Sequence, residues 1–277
     1  MTVDGQRCLD PAARVTPGAV VIVDQLAPKL RNSPLAESAI EFYDGDIVVV
    51  DKPAGMLTVA DQAGNKDTLL DHTRTLLRRM AGRDSDRPLG VVHRLDKDTT
   101  GLIVFTRSAL AKRELATQFR AHTVDRIYHA IAHGIVPERR VETYLVLDRG
   151  DQMRGSYGYF QPARGARPRE ARRSVTHIRP LARLAGATLV ECRLETGRQH
   201  QIRIHLAELG HPLVGEQVYI RDYRGPRIEA ARPMLHARTL GFLHPRSARR
   251  VLFEREPADD FLFTLESLRV LRSDGDV

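Results

Sequence analysis

The chain has 277 residues, 42% hydrophobic and 28% charged, a balance that fits a globular protein and excludes a disordered one. A fold of this size buries roughly 75% of its unfolded surface, so one large domain needs neither disulfides nor a structural metal. Lys and Arg total 43 against 35 acids, a net charge of +8, and only Lys29, Lys52, Lys66, Lys97 and Lys112 are lysine. Arginine forks onto phosphate and stacks on bases, which suits a nucleic-acid partner, although an arginine-rich proteome gives any enzyme the same bias.

The longest apolar runs, residues 18–23 and 47–50, fall far short of the roughly 18 residues of a membrane span, and the opening MTVDGQRCLD lacks the apolar core of a signal peptide. Cys8 and Cys192 are too few for a disulfide framework or a thiolate zinc site. A cytoplasmic protein without a membrane partner is the expectation.

No internal repeat is visible. Residues 1–35 hold Pro11, Pro17, Pro28 and Pro34 around one apolar strand candidate, Ala19–Val23, and read as an extension too short for a core of its own. Asp44-Gly45-Asp46 signals a turn before a β-branched strand, Ile47–Val50, which Pro53 and Gly55 break. Asp67 is placed to cap a helix with Leu69, Leu76, Leu77 and Met80 on one face, ended by Gly82. Two strands, Val91–Leu95 and Leu102–Thr106, flank a turn at 98–101, and Ser108 caps a helix carrying Leu110, Leu115 and Phe119.

Further strands are expected at Arg126–Ala132 and Val141–Leu147, and an arginine-rich loop at 161–173. From 188 to 195, Val190, Cys192 and Leu194 alternate with Glu191, Arg193 and Glu195, as in a half-buried strand. A helix bearing Ile202, Leu206 and Leu209 follows, with Thr196 and Gln199 at capping-box spacing and Gly210 as its stop. Residues 273–277 read as a frayed tail. Short strands interleaved with a few helices predict a mixed α+β fold with a mainly antiparallel sheet.

Two segments are dense in functional groups. In His93-Arg94-Leu95-Asp96-Lys97-Asp98-Thr99-Thr100-Gly101, a carboxylate flanked by Arg94 and Lys97 stands at a strand end. A carboxylate of restricted solvation serves as nucleophile or base, whereas a solvated charged turn is the commoner outcome for such a stretch. In Thr196–Leu206, Arg203 sits beside the apolar stripe, where a partly buried guanidinium needs an anion, and Asp96 is a candidate for it. His129 and His133, four apart on a strand, lie roughly 13 Å from one another, and His200 and His205 diverge on a helix, so neither pair shares a metal. No GxGxxG, phosphate loop or GxSxG occurs, which argues against a nucleotide cofactor and a serine hydrolase.

Taken in order, these segments resemble the RluA-type family of pseudouridine synthases. Residues 47–56 are similar to its opening motif, 93–101 to its catalytic motif, and Arg126-Ile127-Tyr128 to the segment with its active-site tyrosine. Residues 194–206 resemble its third motif, and 235–237 and 242–245 its closing segments, so the likeness spans roughly 40 to 263. It implies a bent sheet with flanking helices and a central cleft at 36–272, with 1–35 as a possible remnant of an S4-type RNA-binding domain.

The resemblance further implies Asp96 as the nucleophile, Arg203 as its ion-pair partner, and Tyr128 as the ring packing on the target uracil. Arg94 is the counterpart of the arginine that enters the RNA stack and holds the extruded base. His93 and Lys97 receive no chemical step. No cofactor is implied, the partner is ribosomal or transfer RNA, and a monomer is expected; a non-catalytic RNA-binding module of the same fold is the alternative. Thr100 replaces the usual serine, Lys97 an arginine and Glu216 an aspartate, changes that keep the chemical class.

Overall fold

A computed structural model describes residues 2–3, 6–7, 18–22, 35–60, 67–81, 88–159 and 167–273. Met1–Ser33 and Pro34–Val277 are separate compact units. In the first, β1 (Thr2–Val3) pairs antiparallel with β2 (Gln6–Arg7) on one side and β3 (Val21–Ile22) on the other.

The second unit is built on one mixed sheet of eleven described strands. Its strands are β4 (Ile40–Tyr43), β5 (Ile47–Lys52), β6 (Gly90–Val91), β7 (Thr100–Thr106), β8 (Asp125–His133) and β9 (Arg139–Val146). They continue with β10 (Gly155–Ser156), β11 (Arg172–Leu184), β12 (Ala187–Leu194), β13 (Leu235–Leu243) and β14 (Arg250–Glu254). The order is β10-β9-β11-β12-β8-β13-β7-β5-β4, with β14 on β13 and β6 on β7. Every described strand pairing is antiparallel except β13 with β7, which runs parallel through His236–Thr100 and Ala237–Gly101. There Gly101 has φ +104°, and a Cβ would collide with the Ala237 backbone, so only glycine lets the two strands meet.

Both faces of the centre are covered, which is why β7 is buried throughout and β5 at every residue but the half-buried Asp51, rather than on alternate residues. Val48, Val50, Ile103 and Phe105 pack with Leu69, Leu76 and Leu77 of α1 (Leu69–Ala81) and with Ile202 and Leu206 of α3 (Gln201–Glu208). Ile47, Val49, Leu102 and Val104 face the other way, onto Ala111 and Leu115 of α2 (Ala109–Arg120). Phe261 and Leu265 of α4 (Asp259–Ser273) close a third cluster over Ile131, Leu184 and Leu189. No helix among the described residues is long and apolar enough to cross a membrane.

The Ser108 cap is formed, its oxygen accepting from the Ala111 amide at 3.1 Å. Other local expectations change. Thr68, not Asp67, caps α1: its oxygen accepts from the Asp71 amide and its hydroxyl donates to the Asp71 carboxylate at 2.6 Å, while Asp67 pairs with His72. Gly82, the arginine-rich residues 161–166 and the tail 274–277 lie outside the described residues, and Arg172 and Arg173 belong to β11. The strand expected at Val91–Leu95 stops at Val91, because side chains take the hydrogen bonds a ladder would use. The Thr58 hydroxyl donates to the Leu95 carbonyl at 2.8 Å and accepts from its amide at 3.2 Å. The capping box at Thr196 and Gln199 does not form either. Thr196 donates instead to the Gln201 side chain at 2.9 Å, and α3 begins after His200, whose φ of 59° turns the chain into the helix.

Candidate active site

The segment between β6 and β7 is held from below by a buried cation. Lys52, at the end of β5 and fully buried, donates to the carbonyls of Pro53 (2.9 Å), Lys97 (2.7 Å) and Thr99 (2.8 Å). Three N–H groups thus meet three carbonyls, which a neutral amine with two hydrogens could not do. Burial pulls the Lys52 pKa down to about 7, and the negative charges of Asp98 and Asp96 oppose that. Arg232 holds the Asp98 carbonyl at 3.0 Å, and the Thr99 amide donates to the Asp96 carbonyl at 3.2 Å. His93 accepts from the Val104 amide at 3.1 Å and stacks on Phe119 with ring centres 4.6 Å apart. Burial and then Arg126 bring its pKa down to about 3, so it is neutral and structural.

Pinned at these points, the segment presents Asp96 to a cleft of about 560 Å³. Arg94, Tyr128 and Arg203 line the same cleft, so all four residues singled out from sequence converge on it. Tyr128, on β8, is only 7% exposed, and burial raises its phenol to about 12, keeping it protonated. Arg94 is exposed, with no hydrogen-bond or ion partner among the described residues.

Arg203 differs from expectation. Its guanidinium forks onto Glu216, Nε to one oxygen at 2.8 Å and a terminal nitrogen to the other at 2.7 Å. No ion pair within 4.0 Å joins it to Asp96. The reason is geometric. Amides of Gln217, Val218 and Tyr219 already turn toward the fully buried Glu216 carboxylate, at 3.1, 2.9 and 3.3 Å, so its charge is fixed beside α3. Burial opposes ionisation of both partners, yet their mutual bonds win, lifting the arginine and lowering the carboxylate. Asp96 adds only a longer-range attraction to Arg203.

The side chain nearest to Asp96 among the described ion pairs is His200, its Nε2 3.9 Å from one carboxylate oxygen. Its Nδ1 lies 2.7 Å from the Tyr219 hydroxyl, whose ring also sits under the Arg203 guanidinium at 5.2 Å. Burial raises Tyr219 to about 12 and lowers His200. Lys52, Thr58, His200, Glu216 and Tyr219 received no role from the sequence. For Lys52 and Glu216 a signal was present in the motif positions, whereas Thr58 and Tyr219 reach the site only through the fold.

The cleft lining holds five arginines (94, 120, 126, 198 and 203) and one acid, Asp96. With Arg203 spoken for by Glu216, the wall is strongly cationic around one carboxylate and one flat ring. Such a site suits a polyanion, with a carboxylate and a flat ring placed to act on an aromatic heterocycle.

Known proteins agree with this chemistry. Residues 46–208 match the model of the RNA pseudouridylate synthase family. A protein of Zymomonas mobilis named ribosomal large subunit pseudouridine synthase D is 36% identical over 273 residues, 94% of this chain and 83% of that protein. One of the same name from Neisseria meningitidis serogroup A is 39% identical over 83% of this chain and 61% of its own length. Among solved structures, human RNA pseudouridylate synthase domain containing 4 shares the fold, with a TM-score of 0.67 at 23% identity over 84% of this chain and 93% of that one. With more than half the chain inside the family model and relatives this similar along most of its length, the protein belongs to the RNA pseudouridylate synthase family.

Proposed function

We propose that this chain isomerises uridine to pseudouridine in ribosomal RNA, with Asp96 as nucleophile, acting as a monomer in the cytoplasm and without a cofactor. The observation that carries the reading is the meeting of Asp96, on a segment fixed by Lys52, with Tyr128 and the cationic wall in one cleft. The names of the similar bacterial proteins support ribosomal RNA as the substrate.

In the reaction the N1–C1′ bond breaks and a C5–C1′ bond forms; the C5 proton leaves and N1 gains one. The ring stays in the pocket throughout, so no redox step or group donor is needed. Asp96 forms a transient bond to the nucleoside, and attack at uracil C6 or ribose C1′ satisfies this requirement equally. Tyr128 supplies a flat wall against which the freed ring turns, and its protonated phenol brings no competing charge. The Asp96 carboxylate, released again, accepts the C5 proton. Arg94, exposed at the cleft and without a hydrogen-bond or ion partner among the described residues, fills the gap left by the extruded base, whose removal from the stack costs a few kcal/mol.

Incubating the protein with ribosomal RNA carrying tritium at uracil C5 tests the proposal, because tritium is released only if C5 changes partner. Release into water supports it. Tight RNA binding with no release would show a non-catalytic binding module instead.

A further inference from the structure

Arg126 lies two residues before Tyr128 on β8 and is only 6% exposed, yet no carboxylate among the described residues pairs with it. One terminal nitrogen donates to the Glu195 carbonyl at 2.9 Å, the guanidinium lies 5.5 Å from the Phe119 ring centre, and the buried Nε has no hydrogen-bond partner. The turn opposite leaves room for it: a Cβ on Gly197 would strike the guanidinium. The nearby acids are engaged elsewhere. Asp125, on the other face of the strand, pairs with Arg193 at 2.7 Å and with Arg250, while Glu195 bonds His177 at 2.7 Å.

A second arginine and a histidine line the cleft with it. The Arg198 Nε reaches only the Arg173 carbonyl, at 3.3 Å, and its guanidinium has no carboxylate partner among the described residues. His122 is held at φ 59° after α2 and is exposed. Burial, then Arg126 and Arg198, lowers the His122 pKa, which marks a cluster short of negative charge. A buried cation without a counter-ion is costly, so a partner is expected from outside the chain.

We propose that Arg126, with Arg198 and His122, seats a backbone phosphate of the RNA beside the uridine held against Tyr128. This rests on the isomerase reading and adds the contact that sets the nucleotide's register. On β8 Arg126 and Tyr128 share the buried face while Asp125 and Ile127 take the other. Two residues of strand span about 6.6 Å, the reach from a base across its ribose to the phosphate. Tyr128 then holds the ring, Arg126 the phosphate, and the glycosidic bond lies between them within range of Asp96. An arginine fits this task because its charge is permanent and the terminal nitrogen not bonded to the Glu195 carbonyl is left to donate to a phosphate oxygen.

The test measures binding of the full chain to an unmodified transcript of large-subunit ribosomal RNA over a range of salt, with tritium release followed in parallel. The expected result is that Arg126→Gln weakens binding about 10-fold and lowers the slope of log affinity against log salt by about 0.7–0.9, the value of one phosphate contact. Arg198→Gln, at an exposed position that leaves folding intact, lowers the slope likewise. Arg269→Gln, on α4 and outside the cleft, leaves it unchanged. Slopes for Arg126→Gln and Arg198→Gln equal to that of Arg269→Gln overturn the seat even if the wild type releases tritium. A lowered slope with no tritium release from the wild type leaves the seat standing and overturns the isomerase reading alone.

Discussion

Arg203, which lines the cleft, forms a two-pronged ion pair with the fully buried Glu216, and no ion pair within 4.0 Å joins it to Asp96. The pair holds the guanidinium near Asp96 without a direct ion pair to it, so under the proposed role Asp96 has no salt bridge to Arg203 to break before reacting. Removing one partner leaves the other charged and buried, at a cost of about 3–5 kcal/mol. Glu216→Gln is therefore expected to lower the urea midpoint strongly, and Glu216→Asp to lower it much less. Equal midpoints for Glu216→Gln and the wild type would remove the pair from the site's architecture.

Asp96→Asn keeps the size of the side chain but replaces one carboxylate oxygen by an amide nitrogen, removing the charge that the proposed nucleophile needs. Turnover is expected to vanish, with affinity for ribosomal RNA within about threefold of the wild type. Near-normal tritium release from this variant would refute the assignment of Asp96.

Arg94 is expected to matter in proportion to how tightly the target base is stacked. Extrusion from a helix costs a few kcal/mol, and each 1.4 kcal/mol is a factor of ten. Arg94→Ala should thus slow tritium release from a folded stem-loop by at least about tenfold more than from a flexible strand. Equal losses on the two RNAs would take the base-extrusion role from Arg94.

Lys52 ties the segment carrying Asp96 to the end of β5. In Lys52→Met three carbonyls lose their donor, each worth about 1–3 kcal/mol if unsatisfied, offset by relief of a buried charge. A net loss of about 2–3 kcal/mol in stability is expected, together with faster amide exchange at Thr99 and Thr100. Unchanged exchange there would show that the segment is held by other contacts.

His205 and His236 make the fold sensitive to acid. Burial lowers each pKa from 6.5 to about 4. Both rings are hydrogen-bonded, His205 between Thr143 (3.0 Å) and Thr176 (2.8 Å), His236 between Thr100 (2.8 Å) and the Arg255 carbonyl (3.0 Å). Between pH 6.5 and 4 the unfolded chain binds protons that the folded chain refuses, so stability is full above pH 6.5 and falls as pH drops through this window. The loss is on the order of 3 kcal/mol per histidine across the window. Urea midpoints at pH 7.5, 5.5 and 4.5 read it directly, and His205→Gln should flatten the decline.

Much of the catalytic unit was written locally. The β-branched run at 47–50, the Ser108 cap and the alternation of Val190, Cys192 and Leu194 act through neighbours in the chain, and each formed the expected element. Arg94, Asp96, Tyr128 and Arg203 likewise line one cleft, because Tyr128 lies within β8, Arg94 and Asp96 on the segment between β6 and β7, and Arg203 on α3, all placed by the sheet. What the tertiary structure alone decided was who pairs with whom. A guanidinium binds the nearest carboxylate that is already desolvated and oriented, and three backbone amides prepare Glu216 for Arg203 in a way that no spacing along the chain reveals. In the same way the Thr58 hydroxyl took both backbone groups of Leu95, and Lys52 found its three carbonyls up to 47 residues away. Such choices depend on burial and on angles between distant segments, which exist only once the chain has closed on itself.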